Sequence, residues 1–493
     1  MRNLLHAEWT KLRTLPGWIF AMIAAAGAML ALGLLPGLQG SCGTQGPQSQ
    51  CVAAVGPDGL EVSDSFTFVH QAMTGDGTIT ARVSQMTGQR LGPDGEQDAM
   101  APWAKAGLIV KDGTAAGSAY AAVMVTGAHG VRMQHNYLYD KAGPAGQVTQ
   151  TQPRWLRLTR SGDTITGQSS PDGVTWNTVA TVPLKHLPPT VLIGMFVTSP
   201  QYAEAMNESL GAVGASGGPT KATATFDHLD RTGPWSEQRL GGSTNFEVPG
   251  VGFEPTDTGF TITGSGDIAP AVAGPAGAGV SITETLVGTF AALIFVVVIG
   301  VGYITGEYRH GMIRMTLAAT PRRGRVLAAK AAVLGATVFT LGLAVAAIVV
   351  IFGQKVLRGN GVYVLPATGA TQLRVIAGTA ALLSVASVLA LGWGALLRRS
   401  ATAVTAAVLT IVLPYLLAMT VLPAGAAQWL LRISPAAAFA LQQSTPQYYQ
   451  VANLYLPNSG YYPLPGWAGL AVLAAWTAAV LGLAAHRLHR RDA

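Results

Sequence analysis

The sequence is short of charge. Asp, Glu, Lys and Arg make up 11% of its 493 residues, against 49% hydrophobic, where a soluble domain usually carries about a quarter charged. An ordinary soluble domain is thereby excluded in favour of a membrane protein. Cysteine is nearly absent as well: Cys42 and Cys51, in SCGTQGPQSQC, are the only two. No third or fourth ligand stands in register with them, so no metal site is expected. The pair predicts a short-loop disulfide outside the reducing cytosol, stabilising by roughly 2–3 kcal/mol on chain-entropy grounds. Also missing is any Gly-x-x-x-x-Gly-Lys-Ser/Thr phosphate loop, so the chain cannot trap ATP by that route.

The charge that is present falls unevenly. Residues 1–35 and 284–493 hold 18 basic and 4 acidic residues, whereas 36–283 hold 13 basic and 20 acidic. The basic residues lie at the ends of apolar runs, so no nucleic-acid partner is indicated. Six runs are long enough to cross a lipid bilayer as helices: Trp18–Leu35, Leu286–Ile304, Leu327–Phe352, Val375–Leu397, Ala401–Leu422 and Trp467–Ala485. The expected fold is therefore an α-helical polytopic membrane protein with six transmembrane helices. Lys330 is the one charged residue inside a run, close enough to its end to snorkel. A proton relay or ion-coupled carrier is not suggested.

Orientation follows the basic residues in short loops. Arg2, Lys11 and Arg13, then Arg309, Arg314, Arg322, Arg323 and Arg325, then Arg398 and Arg399, then Arg487, Arg490 and Arg491 share one side if both termini are cytoplasmic. Residues 36–283 then lie outside. The first run is long for a signal peptide, so residues 16–35 read as an uncleaved transmembrane helix. In residues 1–15, Leu5, Trp9 and Leu12 share a helical face with Glu8 and Lys11 to one side, which suits an amphipathic helix in the inner interface.

Residues 36–283 are too many for a loop. Alternation in SFTFVHQ, GTITARVSQ, YAAVMVTG, WLRLTRSG and ATATFDHL, with Asp172-Gly173 marking a hairpin turn, predicts an inserted extracytoplasmic all-β sandwich domain. The stretches DSFTFVHQAMTGDGTITARV, PWAKAGLIVKDGTAAGSAYAAVMVTGAHGVRMQ and PRWLRLTRSGDTITGQSSPDGVTWNTVATV resemble the concanavalin-A-like lectin/glucanase modules, over about residues 62–230. GFTITGSGDIAP resembles the strand that usually opens such a module but comes last, which implies a permuted sandwich with both ends at the membrane. The relatives' Glu-x-Asp-x-x-Glu pattern is missing, so no catalytic residue is expected; hydrolysis needs two placed carboxylates. Asp227 and Asp230, in FDHLD, are expected at a solvent-facing strand end. Trp103, Trp155 and Trp176 are candidate glycan contacts, although in that family tryptophans here are more often core.

Between the second and third runs stands GEYRHGMIRMTLAATPRRGRVLAAK, from Gly306 to Lys330. Its apolar residues Ile313, Leu317 and Ala318 recur at helical spacing, arginines surround them, and Pro321 can end the helix. The stretch resembles the cytoplasmic coupling helix of type-2 ATP-binding-cassette (ABC) exporter permeases. Glu307 matches the acid closing the second span, Gly311 to Leu317 match the Gly-x-Ile/Leu-Arg-x-Thr-Leu core, and Thr320, Pro321, Arg322, Arg323 and Arg325 match the Thr-Pro and basic cluster. The resemblance covers residues 1–35 and 284–493, departs from the family in its long first outer loop, and places the coupling helix at 306–325. It implies a permease that works as a dimer with separate cytoplasmic ATPase subunits. Ile313 and Leu317 would fill a groove in that partner, and Arg309 and Arg314 would orient the docking. The chain itself would need no cofactor, ATP and Mg being held by the partner. The alternative is a multi-span anchor displaying a carbohydrate-binding sensor or adhesin domain, which has no use for a coupling helix. The low Lys content, abundant Ala, Gly and Arg, and the resemblance suggest the plasma membrane of a high-GC Gram-positive bacterium, an actinobacterium.

Overall fold

In the computed structural model, residues 2–35, 53–92, 95–207, 213–241, 248–274, 277, 279–309, 311–313, 315 and 322–490 are described. Cys42 and Cys51, and with them the expected disulfide, lie outside these residues.

Among the described residues, six stretches are long and apolar enough to cross a membrane: Pro16–Leu34, Ile282–Arg309, Arg323–Gly359, Gly369–Leu397, Ser400–Thr420 and Gly466–Leu488. The helices are α1 (Arg2–Thr14), α2 (Pro16–Leu34), α3 (Gly288–Arg309), α4 (Arg323–Gly359), α5 (Gly369–Leu397), α6 (Ser400–Ala407), α7 (Leu413–Thr420), α8 (Ala424–Ile433) and α9 (Gly466–Arg490). One apolar core, including Leu293, Val297, Leu334, Val349, Leu389 and Phe439, joins them. Small residues let backbones approach: a Cβ at Gly300 would stand 2.3 Å from Ser387 O, and one at Gly288 2.4 Å from Met29 O.

Three features exceed what the apolar runs predict. Helix α4 has 37 residues, about 55 Å at 1.5 Å per residue, and so overshoots a hydrocarbon core of roughly 30 Å. Its extra turns end on the sandwich side, where Arg358 donates to Val364 O (3.3 Å). The fifth span is not a uniform α-helix. A π segment, Val408–Val412, separates α6 from α7; Pro414, just beyond it, has no N–H to donate, and a local widening absorbs the lost bond. Between the last two spans, the 3₁₀ segment Pro435–Gln442 is buried at every residue. Protein surrounds this departure from the α-helix, and Gln442 Nε2 donates to Thr289 Oγ1 (3.1 Å) and Thr379 Oγ1 (3.3 Å).

The remaining residues build β structure. Seven strands pair in the order Ser236–Leu240, Phe66–Thr74, Thr190–Thr198, Lys105–Lys111, Tyr120–Thr126, Val131–His135, Tyr139–Ala142. A second sheet runs Asn177–Pro183, Thr164–Ser170, Arg154–Ser161, Gly77–Gly92, Thr220–Asp227, Gly259–Gly264, Gly252–Thr256, with Gly95–Asp98 paired to Gly77–Gly92. Alternate residues of both sheets, among them Val69, Ile79, Leu108, Val123, Leu156, Ile193, Phe226 and Ile262, fill the core between them. The strand closing this region, Ile268–Pro270, pairs with Glu61–Asp64 near its start. Both connections to the helices therefore leave from one place.

The seven-stranded sheet is also covered on its other face. Val62, Phe66, Phe68, Tyr120, Tyr137, Phe196 and Ile268 form a second apolar cluster there. For this reason Lys105–Lys111 and Tyr120–Thr126 are buried at every position, and two lysines are enclosed with them. Lys105 Nζ reaches Asp267 Oδ1 (2.5 Å) and Ile268 O (2.7 Å). Lys111 Nζ reaches Asp64 Oδ2 (3.0 Å), Tyr137 Oη (3.1 Å) and Ser118 O (3.2 Å). Burial pushes the Lys111 ammonium below its ordinary pKa, against the pull of Asp64. One expectation about acids needs correcting. Asp227 is buried rather than solvent-facing, and it accepts two bonds from the Arg82 guanidinium (2.7 and 2.8 Å). Asp230 is exposed, as expected, and accepts the Thr80 N–H at 2.8 Å. Asp172 caps its turn as expected: backbone N–H groups of Thr175 and Val174, with the Ser170 hydroxyl, hold its carboxyl well below the usual range.

Lys111→Met should lower sandwich stability by roughly 3–5 kcal/mol, because it strands the Asp64 carboxylate in an apolar setting. Adding Asp64→Asn should recover most of the loss. Thermal unfolding of the full chain, followed by tryptophan fluorescence, measures both steps.

Candidate functional site

The stretch from Gly306 begins where α3 ends. Gly311 takes φ +68°, a conformation that suits glycine, and its N–H reaches Tyr308 O (3.3 Å). The chain thus turns away from α3 within two residues of Arg309. Ile313 is buried against this chain, whereas Met312 and Met315 are exposed. Among the described residues of this stretch, the apolar side chains offered outward are the methionines, not the expected Ile313. Arg309, Arg322 and Arg325 are exposed. Arg323 is half-buried and donates to Leu488 O (2.6 Å), which joins the start of α4 to the end of α9. Arg314, Leu317, Thr320 and Pro321 lie outside the described residues.

Behind this stretch lies a compact ionic cluster. Lys330 Nζ stands 2.6 Å from Glu307 Oε1 and 2.8 Å from Glu8 Oε2. Lys11 Nζ stands 2.9 Å from Glu307 Oε1 and 3.1 Å from Glu8 Oε1. The Tyr303 hydroxyl donates to Glu8 Oε2 (2.9 Å), and the Lys330 ammonium sits 4.9 Å from the Tyr303 ring centroid. Two acids face two lysines, so the cluster is neutral as a whole. It fastens α1, the end of α3 and the start of α4 to one another.

Two expectations change here. Lys330 does not snorkel; it is 0% exposed, because its charge is met inside the protein rather than in the interface. In α1, Glu8 and Leu12 face inward, while Trp9 is exposed. Leu12 thus packs inward beside Glu8, away from the exposed Trp9 with which it was expected to share a face. At Glu8, burial works to raise the carboxyl pKa, but the charges of Lys330 and Lys11 outweigh it and the net shift is downward. At Lys11, burial works downward and the bonds to Glu307 and Glu8 outweigh it, so the net shift is upward.

The three candidate glycan tryptophans do not meet at one site. Trp103 is 5% exposed, stacked on His129 at 4.0 Å with the Tyr449 ring edge-on at 5.8 Å, so neither face is open. Trp155 and Trp176 are half-buried on the eight-stranded sheet. Arg157 lies 3.7 Å over the Trp176 ring. Trp155 meets His228 edge-on at 5.2 Å. The sequence showed Glu8, Lys11, Glu307 and Lys330 individually; their equal numbers of each sign, at the ends of apolar runs, were the available clue that they pair. Tyr303 gave no such signal.

A family model described as ABC-2 family transporter protein matches residues 114–493, most of the chain and five of its six spans. The chain belongs to the ABC-2 transporter family. It is a membrane permease of an ABC transporter. The matched region also takes in the larger part of the sandwich. No curated protein matches this ABC-2 permease. Among solved structures, it is similar to a functionally unknown protein from Saccharomyces cerevisiae, at 18% identity and a TM-score of 0.20, covering 38% of this chain and 82% of that one. It is also similar to scytalido-glutamic peptidase with a transition state analog inhibitor, at 12% identity and a TM-score of 0.25, covering 41% of this chain and 98% of that one. Likenesses at these scores carry no argument about fold or chemistry.

The cluster gives a pH prediction. A carboxyl depressed in the folded state stabilises above its ordinary pKa of 4.5 and stops doing so as the pH falls through the lower folded value. An elevated lysine stabilises below its ordinary 10.5 and stops as the pH rises through the higher folded value. Helix α1 should therefore stay docked between these limits and detach beyond them, which amide hydrogen exchange of residues 2–14 measures. At neutral pH, Lys330→Met should detach it by leaving two buried acids against one lysine.

Proposed function

We propose that this permease is the membrane-spanning subunit of an ABC exporter, working as a dimer with separate cytoplasmic ATPase subunits that hold ATP and Mg. The observation that carries the reading is the ionic cluster behind residues 306–325. A segment that receives force from a partner must be mounted rigidly on the helices it moves, and Glu307 and Lys330 tie its two flanking helices to each other and to α1. The exposed Met312 and Met315 supply apolar contact, and exposed Arg309, Arg322 and Arg325 supply steering charge. Arg314 and Leu317 complete the docking face in this proposal. The chain has no phosphate loop of its own and acts as a transport subunit, not an enzyme.

The same reading puts both termini in the cytoplasm, with the sandwich outside and the Cys42–Cys51 disulfide formed there. The arginine-rich ends of the spans support this orientation. Glycan contact, in this proposal, falls to Trp155 and Trp176, since Trp103 is enclosed.

Arg314→Glu combined with Leu317→Asp should leave insertion intact and weaken ATPase association by roughly 2–4 kcal/mol. Copurification of the ATPase in detergent reads the effect; undiminished recovery would remove the coupling assignment. Topology is tested with single cysteines after Cys42 and Cys51 are replaced by serine. A membrane-impermeant thiol reagent should label Val174→Cys in intact cells and leave Met315→Cys unlabelled until the cells are opened. The reverse pattern would invert the orientation.

A further inference from the structure

The outward face of the seven-stranded sheet, turned away from the sandwich core, is not left to solvent. Near the strands that begin and end the domain, Asp64 and Asp267 neutralise Lys111 and Lys105. The other end of the same face meets a segment from elsewhere in the chain, residues 448–451, which lie between α8 and the last span. There the Tyr449 hydroxyl contacts both the Arg132 guanidinium and the Asp140 carboxylate, which also pair with each other. The Tyr449 ring meets Trp103, and Arg132 lies over both rings, 5.6 Å from Trp103 and 5.3 Å from Tyr449. One residue on, Gln450 Nε2 donates to Leu138 O (2.9 Å). Val451 closes the contact on Ala269 and Val272.

The chemistry of this contact is that of a separable interface. Its apolar centre is small, its strongest bonds are polar, and Tyr449 remains 61% exposed while making them. The segment is also continuous with the buried turn Pro435–Gln442, whose Gln442 is bonded to Thr289 on α3 and Thr379 on α5. Rearrangement of α3 against α5 therefore pulls on the segment that the sandwich holds.

We propose that Trp103, Arg132 and Asp140 form a latch for Tyr449, through which the sandwich grips the segment between the last two spans, and that the latch opens in each transport cycle. This rests on the permease reading above. It assigns the enclosed Trp103 to an internal partner, a phenol ring whose hydroxyl sits between a guanidinium and a carboxylate.

The test uses the full chain in lipid nanodiscs with its copurified ATPase, Cys42 and Cys51 replaced by serine, and cysteines introduced as Leu138→Cys and Gln450→Cys. A short, reducible bifunctional thiol reagent should join the pair in high yield and lower ATP turnover at least tenfold, and reduction should restore it. Tyr449→Ala, at a position 61% exposed, should lower the cross-linking yield several-fold. Unchanged turnover in the cross-linked protein would overturn the proposal, making the sandwich a passive rider. An unchanged yield with Tyr449→Ala would overturn it by showing that the tyrosine holds nothing. If no ATPase copurifies, the ATPase-driven exporter reading of the previous subsection fails first, and the latch falls with it.

Discussion

A lysine with no exposure, surrounded by hydrocarbon-length helices, is tolerable only if its charge is met at hydrogen-bond distance. At Lys330 that requirement organises the bundle face opposite the sandwich. Two carboxylates from different elements, Glu8 and Glu307, must both reach one ammonium. Lys11 then balances the second negative charge. Coulomb attraction is strong where water is scarce, and so is the penalty for a missing partner. An all-apolar seam could slide; this one has a single register. The position of α1, the direction in which α3 ends and the point at which α4 begins are fixed together.

The sandwich follows a parallel logic in a different medium. A sheet with one wet face would alternate polar and apolar residues. The seven-stranded sheet instead has two covered faces, and the lysines it encloses are matched by Asp64 and Asp267 from the strands that open and close the domain. The entry and exit of the chain are thereby stitched to the middle of the sheet. A covered outward face also removes the open groove that a ligand would need there, and leaves the eight-stranded sheet, with Trp155 and Trp176, as the accessible side.

Composition was enough to locate the spans, because hydrocarbon admits few alternatives to an apolar helix. Alternation was enough for strands such as Arg154–Ser161 and Thr220–Asp227, each with one face in the core. Lys105–Lys111 was harder: burial on both sides erases the period on which such a reading depends. The inward side of α1 was not legible: the spacing of Leu5, Trp9 and Leu12 carries no sign of an ion pair, and the buried side carries Glu8. Long-range pairing was out of reach altogether. Nothing local connects Arg132 to Tyr449, 317 positions away. The further reach of α4 was hidden because its last turns, with Gln354, Lys355 and Arg358, look like a loop once the apolar run has ended at Phe352.

Helix α4 runs unbroken from Arg323 to Gly359, with no proline along its 37 residues. One end is anchored in the ionic cluster, and the other meets the connection into the sandwich near Val364. A rod of about 55 Å turns angle into distance: a tilt of only ~10° about one end carries the other end through roughly 10 Å. Small rotations at the cluster therefore need no relay of side chains to be felt on the far side of the bilayer. The stiffness of a single helix sets how faithfully they arrive.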